Sequence, residues 1–196
     1  MSENKKRAVI FSWFKQIVLV ILVTLFVSVL VIQTYDINDV SMQPTFDPQG
    51  NRVMVFLTPY IFGAKPDRGD IVIIDSKVNR ERTFSDRFHE SPIVSIIKGD
   101  FNEHLWVKRV IGLPGDKVAF KNGKVQLNGE ELDEDYTTGK INNAFEPTLV
   151  PEGYIYVMGD NRNRSSDSRQ IGPVPVSNIQ GKVILRFFPI NKITTY

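Results

Sequence analysis

The chain has 196 residues, enough for one well-cored domain but not comfortably for two. It contains no cysteine, which excludes disulfides, thiolate nucleophiles and cysteine-bound zinc, and its two histidines argue against a multi-histidine metal site. Residues 1–35 contain four of the 24 basic residues but only one of the 22 acidic residues, so the rest of the chain has a net charge of −1. The rest of the chain therefore lacks the basic surface that is typical of nucleic-acid binding.

An uncharged apolar run occupies residues 17–32 and is interrupted only by Thr24 and Ser28. With its flanks it reaches the roughly 20 residues that cross a bilayer, and we assign a transmembrane anchor to residues 16–35. The run lacks the polar face of a buried core helix and the small-residue cleavage site of a removable signal peptide. Basic residues precede it and the next is Arg52, which predicts a cytoplasmic N-terminus at 1–15 and a domain outside the membrane at 36–196.

Short strand-like runs separated by turn residues follow the anchor, which is typical of a mainly β domain. The candidate strands are residues 52–57, 70–75, 105–111, 117–121, 124–127, 154–158 and 182–188. Asn-Gly pairs at 122–123 and 128–129 predict tight hairpin turns. Residues 76–104 are a long polar connection with one further candidate strand at 93–97, and a connection of this length is usually functional or mobile.

Lys108 lies in the candidate strand at 105–111, where a lysine is physically out of place. Alternation puts it on one face with Trp106 and Val110, and both faces of the strand are mostly apolar, so the strand is predicted to be buried on both sides. Burial removes hydration from an ammonium group and lowers its pKa. A lysine that is neutral near pH 7 is a general base.

Ser41 follows the apolar run by nine residues and therefore lies close to the membrane surface. Pro44 fixes its own φ and biases the preceding residue away from helix, which suits a turn that exposes Ser41. A serine before a proline turn is usually only a turn residue. The buried strand around Lys108 and the polar segment at 158–169 likewise have ordinary structural explanations when each is considered alone.

Together, these segments resemble the bacterial type I signal peptidases, membrane-bound serine peptidases with a Ser/Lys dyad. The matching pieces are SMQPT at 41–45, VKRVIGLPGD at 107–116 and GDNRNRSSDSR at 159–169, with a weaker match in GKVILRFFP at 181–189. The resemblance extends roughly over residues 35–189, and the variable insertion at 76–104 stands outside it. It implies a mainly β fold in which one transmembrane helix precedes a β-rich, signal-peptidase-like catalytic domain.

The resemblance also implies roles for individual residues. Ser41 corresponds to the nucleophile and Lys108 to the general base, while the Ser165 hydroxyl would orient the lysine amine. Met42 would lie beside the nucleophile, near the pocket for the substrate residue that precedes the cut.

Further residues are implied as structural support for the last loop. Asp167 and Arg169 correspond to a partly buried ion pair, and Asp160, with Asn161 and Arg162, would shape the loop.

The chemistry of the residues agrees with this interpretation, because serine is a weak nucleophile unless a neighbouring base removes its proton, and Ser-Lys pairs do this in other enzymes. The Ser41 backbone N–H is expected to supply one oxyanion donor. Asp39 departs from the family pattern, which has serine or glycine at this position. An ionised carboxylate only accepts hydrogen bonds, so either Asp39 turns away and another donor serves, or the oxyanion hole is weaker.

His104 is the rival base, but its polar context at the edge of the insertion favours a solvated loop histidine. The resemblance implies a signal peptidase I of the bacterial cell membrane, and we expect no metal or cofactor, with the lipid bilayer and secretory preproteins as partners. The resemblance implies small substrate residues at positions −1 and −3, bound as an added strand. Phe187 and Phe188 are candidates for lipid contact, with packing inside the domain as the alternative.

Two other functions stay open. A peptidase dedicated to one secretion-system component would keep every motif, and the insertion at 76–104 could encode its narrower specificity. A non-enzymatic anchored binding or assembly protein should have lost Ser41 or Lys108, and both are present.

Overall fold

A computed structural model describes residues 3–48, 50–80, 82, 83, 85, 86, 104–142 and 144–196. A long helix precedes a mainly β domain, as the resemblance implied. The helices are α1 (Glu3–Leu30), α2 (Thr58–Ile61) and α3 (Ser168–Ile171), with short 3₁₀ helices at Val40–Met42, Arg162–Arg164, Val176–Asn178 and Ile190–Lys192. The strands are β1 (Ile32–Ile37), β2 (Asn51–Phe56), β3 (Ile71–Asp75), β4 (Leu105–Gly112), β5 (Lys117–Lys121), β6 (Lys124–Leu127), β7 (Glu130–Glu131), β8 (Thr148–Leu149), β9 (Tyr154–Met158), β10 (Val174–Pro175), β11 (Ile179–Phe188) and β12 (Thr194–Thr195).

The described part of the domain consists of two antiparallel sheets. Within the described residues the larger sheet has eight strands in the order β1-β2-β11-β3-β4-β9-β10, with β12 paired to β11, and the smaller sheet has the order β7-β6-β5-β8. The connection from β4 to β5 joins the two sheets, so the strand that contains Lys108 leads directly from one into the other.

The seven predicted strands are all confirmed, and the last begins at Ile179 instead of residue 182. Both Asn-Gly turns are confirmed as well: Asn122 and Asn128 have φ of 55°, and each is followed by a glycine with positive φ, the geometry of a tight two-residue hairpin. The further strand expected at 93–97 lies outside the described residues, and only parts of the insertion at 76–104 are described.

The first strand of the sheet was missing from the predicted elements. Helix α1 ends at Leu30, and residues 32–35, which we had assigned to the anchor, form strand β1 and pair with β2. The apolar Ile32 extends the hydrophobic run into the strand, so hydropathy alone does not locate the boundary. Within α1, Val9–Val27 is long and apolar enough to cross a membrane, and none of it is buried against the rest of the described chain.

The core of the domain covers both faces of the central strands. In β3, Ile71 and Ile73 belong to one hydrophobic cluster, and Val72 and Ile74 belong to another. In β4, Val110 packs in the same cluster as Val72 and Ile74, and Ile111 belongs to a third cluster between the two sheets. The expectation that the Lys108 strand is buried on both sides is therefore confirmed for the part of β4 from Lys108 onward.

Candidate active site

Ser41 lies in the 3₁₀ helix Val40–Met42, on the connection between β1 and β2. The loop after β9 holds this turn, because the Asn161 backbone N–H donates to the Ser41 carbonyl at 2.9 Å and the Asn161 side-chain amide donates to the Val40 carbonyl at 3.1 Å. The predicted turn is present, but the expectation that it exposes Ser41 was wrong, since the residue is only 3% exposed. The side chain faces the lysine of β4 and the residues around it.

Lys108 is the residue that Ser41 faces. Its Nζ lies 2.8 Å from Ser41 Oγ, and the residue is 2% exposed. In the structure the amine donates to the hydroxyl oxygen; at the same separation a neutral amine accepts the hydroxyl proton instead. The two residues are 67 positions apart in the chain, and pairing of β4 with β3 and β9 holds the lysine in place.

The surroundings of Lys108 favour its neutral form. Burial lowers the pKa of Lys108 below its usual value of 10.5, the nearby carboxylates of Asp39, Asp167 and Asp160 raise it, and the Arg169 guanidinium lowers it. Desolvation is the largest of these effects, so the net direction is downward. The Trp106 ring, with its centroid 5.6 Å from Nζ, covers the amine on the same face of the strand.

Gly159 allows the last loop to approach Ser41. A Cβ at this position would lie 2.5 Å from the Ser41 carbonyl oxygen and 2.5 Å from Ser165 Cβ, closer than side chains tolerate. The absence of a side chain at residue 159 therefore lets Ser165 and the Ser41 turn pack together. The Ser165 hydroxyl donates to the Ser166 carbonyl at 3.3 Å, and its role in orienting Lys108 stays a prediction.

Asp167 forms the expected ion pair with Arg169. Both carboxylate oxygens accept from the guanidinium, at 2.7 and 2.8 Å, and the carboxylate is fully buried. Asp167 also accepts from the Gly159 N–H at 3.0 Å and caps the first turn of α3. One buried carboxylate thus joins the start of the loop to its end, because Gly159 precedes the loop and Arg169 follows it.

Asp160 forms a second buried ion pair, with Arg109 as its partner. Arg109 donates to both carboxylate oxygens, at 2.8 and 2.7 Å, and Thr45 Oγ1 donates to one of them at 2.5 Å. Arg109 directly follows the lysine in β4, and Thr45 ends the SMQPT segment. Asp160 therefore connects the three matching segments of the chain at a single carboxylate.

Glu134 is a residue of this region that sequence reasoning missed. It forms a bidentate ion pair with Arg162, at 2.6 Å for Nη1 and closer still for Nη2, and both side chains are buried. Arg162 in turn donates to the Gly159 carbonyl at 3.1 Å. Glu134 lies in an acidic stretch between β7 and β8, and its sequence gives no sign that it reaches the loop after β9.

A cleft of about 340 Å³ opens beside Ser41. One wall comes from the end of β1 and the Ser41 turn, and the other comes from the start of β4. The lining residues are Asp36, Ile37, Asn38, Asp39, Ser41, Met42, Leu105, Trp106 and Val107. Met42 lines this cleft next to Ser41 and is almost completely buried in the core. Within the described residues, no group of three or more His, Cys, Asp or Glu side chains could hold a metal ion.

Comparisons with known proteins identify the family of this chain. The family described as signal peptidase, peptidase S26, matches residues 10–188. Signal peptidase I of Bacillus licheniformis is 34% identical over 203 aligned positions, which cover 98% of this chain and 95% of the relative. Signal peptidase I S of Bacillus subtilis is 32% identical over 98% of this chain and 97% of the relative. A crystal structure of a signal peptidase I from Enterococcus faecalis is 29% identical, with a TM-score of 0.41 over 60% of this chain and 96% of that one.

The chain therefore belongs to the signal peptidase family, peptidase S26. It is a serine peptidase of the signal-peptide-removing kind.

Replacement of Gly159 by alanine should push the Ser41 turn and the loop that carries Ser165 apart. We expect Gly159→Ala to lower kcat/KM for preprotein cleavage roughly 100-fold, because displacement of a reacting group by about 1 Å has an effect of this size. Ser166→Ala is the matched control, since this side chain is exposed on the same loop. Cleavage rates and melting temperatures of both variants test the prediction. Activity near that of the parent in Gly159→Ala would show that the close packing is not needed.

Proposed function

We propose that the chain is a membrane-anchored serine endopeptidase that removes signal peptides from exported preproteins, with Ser41 as nucleophile and Lys108 as general base. The observation that carries this proposal is the 2.8 Å separation of Lys108 Nζ and Ser41 Oγ, both in buried residues. General-base activation requires an amine that lies within hydrogen-bonding distance of the hydroxyl and has an available lone pair. A buried amine with a lowered pKa next to a hydroxyl has both properties.

The reaction uses the same pair of residues in both halves. Neutral Lys108 takes the Ser41 proton as Oγ bonds to the scissile carbonyl carbon, and the carbonyl electrons move onto oxygen. Collapse breaks the C–N bond, and the lysine ammonium gives its proton to the leaving amine. Water then attacks the acyl ester with Lys108 again as base, and Ser41 recovers its proton as the ester bond breaks.

The oxyanion that forms in each half needs hydrogen-bond donors. The Ser41 backbone N–H is the first donor. Asp39 is exposed, and its carboxylate forms no hydrogen bond or ion pair with the described residues. An ionised Asp39 repels an oxyanion, so this residue supplies no donor to the hole.

Substrate binding is best supported at the cleft beside Ser41. β4 pairs with β3 along its whole first half, whereas β9 pairs with β4 only from Arg109 onward, so residues 105–107 have an open edge within the described part of the chain. An extended peptide can add to such an edge through its backbone. Alternate side chains of the peptide would then enter the cleft beside Ile37 and Met42, and we expect small ones there, as the family resemblance implies.

Membrane anchoring is supported by α1. Its apolar part, Val9–Val27, has no contact that buries it against the described domain, and large apolar side chains cover the whole circumference of the helix. Basic residues cluster before this span, which favours a cytoplasmic N-terminus and a catalytic domain on the outer face of the membrane of a bacterial cell.

Substitution of the two proposed catalytic residues tests the mechanism. Ser41→Ala and Lys108→Met should each abolish cleavage of a preprotein by purified protein in detergent, whereas His104→Ala should keep most of the activity. Lys108→Met should also melt no lower than the parent, because it removes the desolvation cost of a buried amine at similar volume. If cleavage were lost in His104→Ala and kept in Lys108→Met, the assignment of the base would be wrong.

Removal of the Asp39 charge should shift the pH dependence of the reaction. The rate constant kcat/KM is expected to rise with pH as Lys108 loses its proton. Since the Asp39 carboxylate raises the pKa of Lys108, Asp39→Asn should lower that pKa and move the acid limb of the profile to lower pH. Asp36→Asn is the matched control, because Asp36 lines the same cleft but pairs with Arg52 at 3.0 Å.

An acid limb that stays in place in Asp39→Asn, or that moves equally in Asp36→Asn, would contradict this assignment. The plateau of the same profile gives separate information. If the side-chain amide introduced by Asp39→Asn donates to the oxyanion, kcat/KM at the plateau should rise in that variant. Asp39→Ala introduces no donor, so it should shift the acid limb without raising the plateau.

A further inference from the structure

The cleft beside Ser41 has an unbalanced negative charge. Asp36 and Asp39 line it, and both residues are exposed. Asp36 forms an ion pair with Arg52 at 3.0 Å, whereas Asp39 has no hydrogen bond or ion pair within the part of the chain that the structure describes. No lysine, arginine or histidine is among the described residues that line the cleft. The charge of Asp39 is therefore available to a bound peptide.

Asp39 lies close to the groups that we assign to catalysis. It occupies the position before the 3₁₀ helix Val40–Met42, two residues from Ser41. Burial lowers the pKa of Lys108, and among the carboxylates that raise this pKa Asp39 has the largest effect. Since the interaction between charges falls with distance, the carboxylate of Asp39 also acts on substrate groups next to the scissile bond.

The opposite wall of the cleft suits the same kind of ligand. Trp106 lines it from β4 and is half-buried, with the apolar Leu105 and Val107 on either side of it in the chain. The face of an aromatic ring attracts cations, and the methylene groups of lysine and arginine pack on apolar surfaces while the charged end stays in water. A carboxylate on one wall and an indole ring on the other therefore favour a basic side chain and disfavour an acidic one.

The mode of peptide binding indicates which substrate residue meets Asp39. A peptide added to the open edge at 105–107 presents its side chains alternately to the two sides of the strand. The side chains at −1 and −3 then enter the cleft and are expected to be small, while the side chain at −2 faces away from it. The residue at +1 is the first beside the scissile bond that is free to be long, so a basic side chain at +1 is the one that reaches Asp39.

We propose that Asp39 is a specificity-determining residue, which selects preproteins with lysine or arginine at +1, the first residue of the mature protein, and disfavours acidic residues there. This inference rests on the proposed function and names a substrate class for the same site. Asp39 acts here on a substrate side chain, so the effect is separate from its influence on Lys108 and on the oxyanion.

Competition between substrates that differ in one residue tests the inference. A single preprotein is prepared with lysine, glutamine or glutamate at +1 and cleaved by the full chain in a non-ionic detergent at low salt, so that no charged lipid contributes. The order of kcat/KM should be lysine, then glutamine, then glutamate. The lysine-to-glutamate ratio should be roughly 10-fold, because the attraction of one side chain and the repulsion of the other each have the size of an exposed ion pair.

Variants of the enzyme assign this ratio to Asp39. A ratio of kcat/KM within one enzyme cancels any effect of the variant that is common to all substrates, such as a shift in the pKa of Lys108. Asp39→Asn should bring the ratio close to one, and Asp39→Lys should invert it. Glu130→Gln is the matched control and should keep the ratio of the parent, because it removes an exposed charge of β7 that does not line the cleft. Salt at about 1 M should also bring the ratio of the parent towards one.

The outcomes separate failure of this inference from failure of the proposed function. Equal kcat/KM for the lysine and glutamate substrates in the parent, or an unchanged ratio in Asp39→Asn, would overturn the selection by Asp39 while the peptidase assignment stands. An equal or larger ratio when the same three residues are placed at −2 would overturn the assignment to +1. Absence of cleavage of all three substrates by the parent, or cleavage of them by Ser41→Ala, would overturn the proposed function itself.

Discussion

Desolvation of one amine is the constraint on which the rest of this domain depends. Lys108 has almost no contact with water, and its Nζ lies 2.8 Å from the Ser41 hydroxyl. An ammonium group at this place loses its hydration without a carboxylate in direct contact, so the neutral amine is favoured. The layered core provides that environment, because β4 lies between packed clusters on both faces and pairs with strands on both sides.

The acidic residues near the amine are arranged so that they do not undo this effect. Asp160 and Asp167 would each stabilise a charged lysine, but each is held by an arginine through two hydrogen bonds. Their charges are therefore largely balanced within the protein, and their contacts also connect the Ser41 turn, β4 and the last loop. Asp39 is different, because it lines the cleft without an arginine partner in the described residues. Its charge therefore acts on a substrate or an oxyanion in the cleft.

Local sequence patterns predicted most of the β domain, since alternation and Asn-Gly pairs depend on nearby residues. The strand at 32–37 was missed because Ile32 continues the hydropathy of the preceding helix, although the structure ends that helix at Leu30. The segments around Ser41 and Lys108 were recognised, but the burial of Ser41 depends on residues far along the chain. The pairing of Glu134 with Arg162 could not be predicted, because only the packing of the smaller sheet brings them together.

Direct titration of the Lys108 amine tests the central claim more closely than any rate measurement. The full chain, labelled with ¹³C at the lysine ε-carbons and dissolved in detergent, is titrated by NMR beside Lys108→Met. The account predicts one resonance, absent from the variant, whose midpoint lies clearly below 10.5. A Lys108 resonance with a midpoint at or above 10.5 would show that the amine is charged at neutral pH and would contradict its assignment as the base.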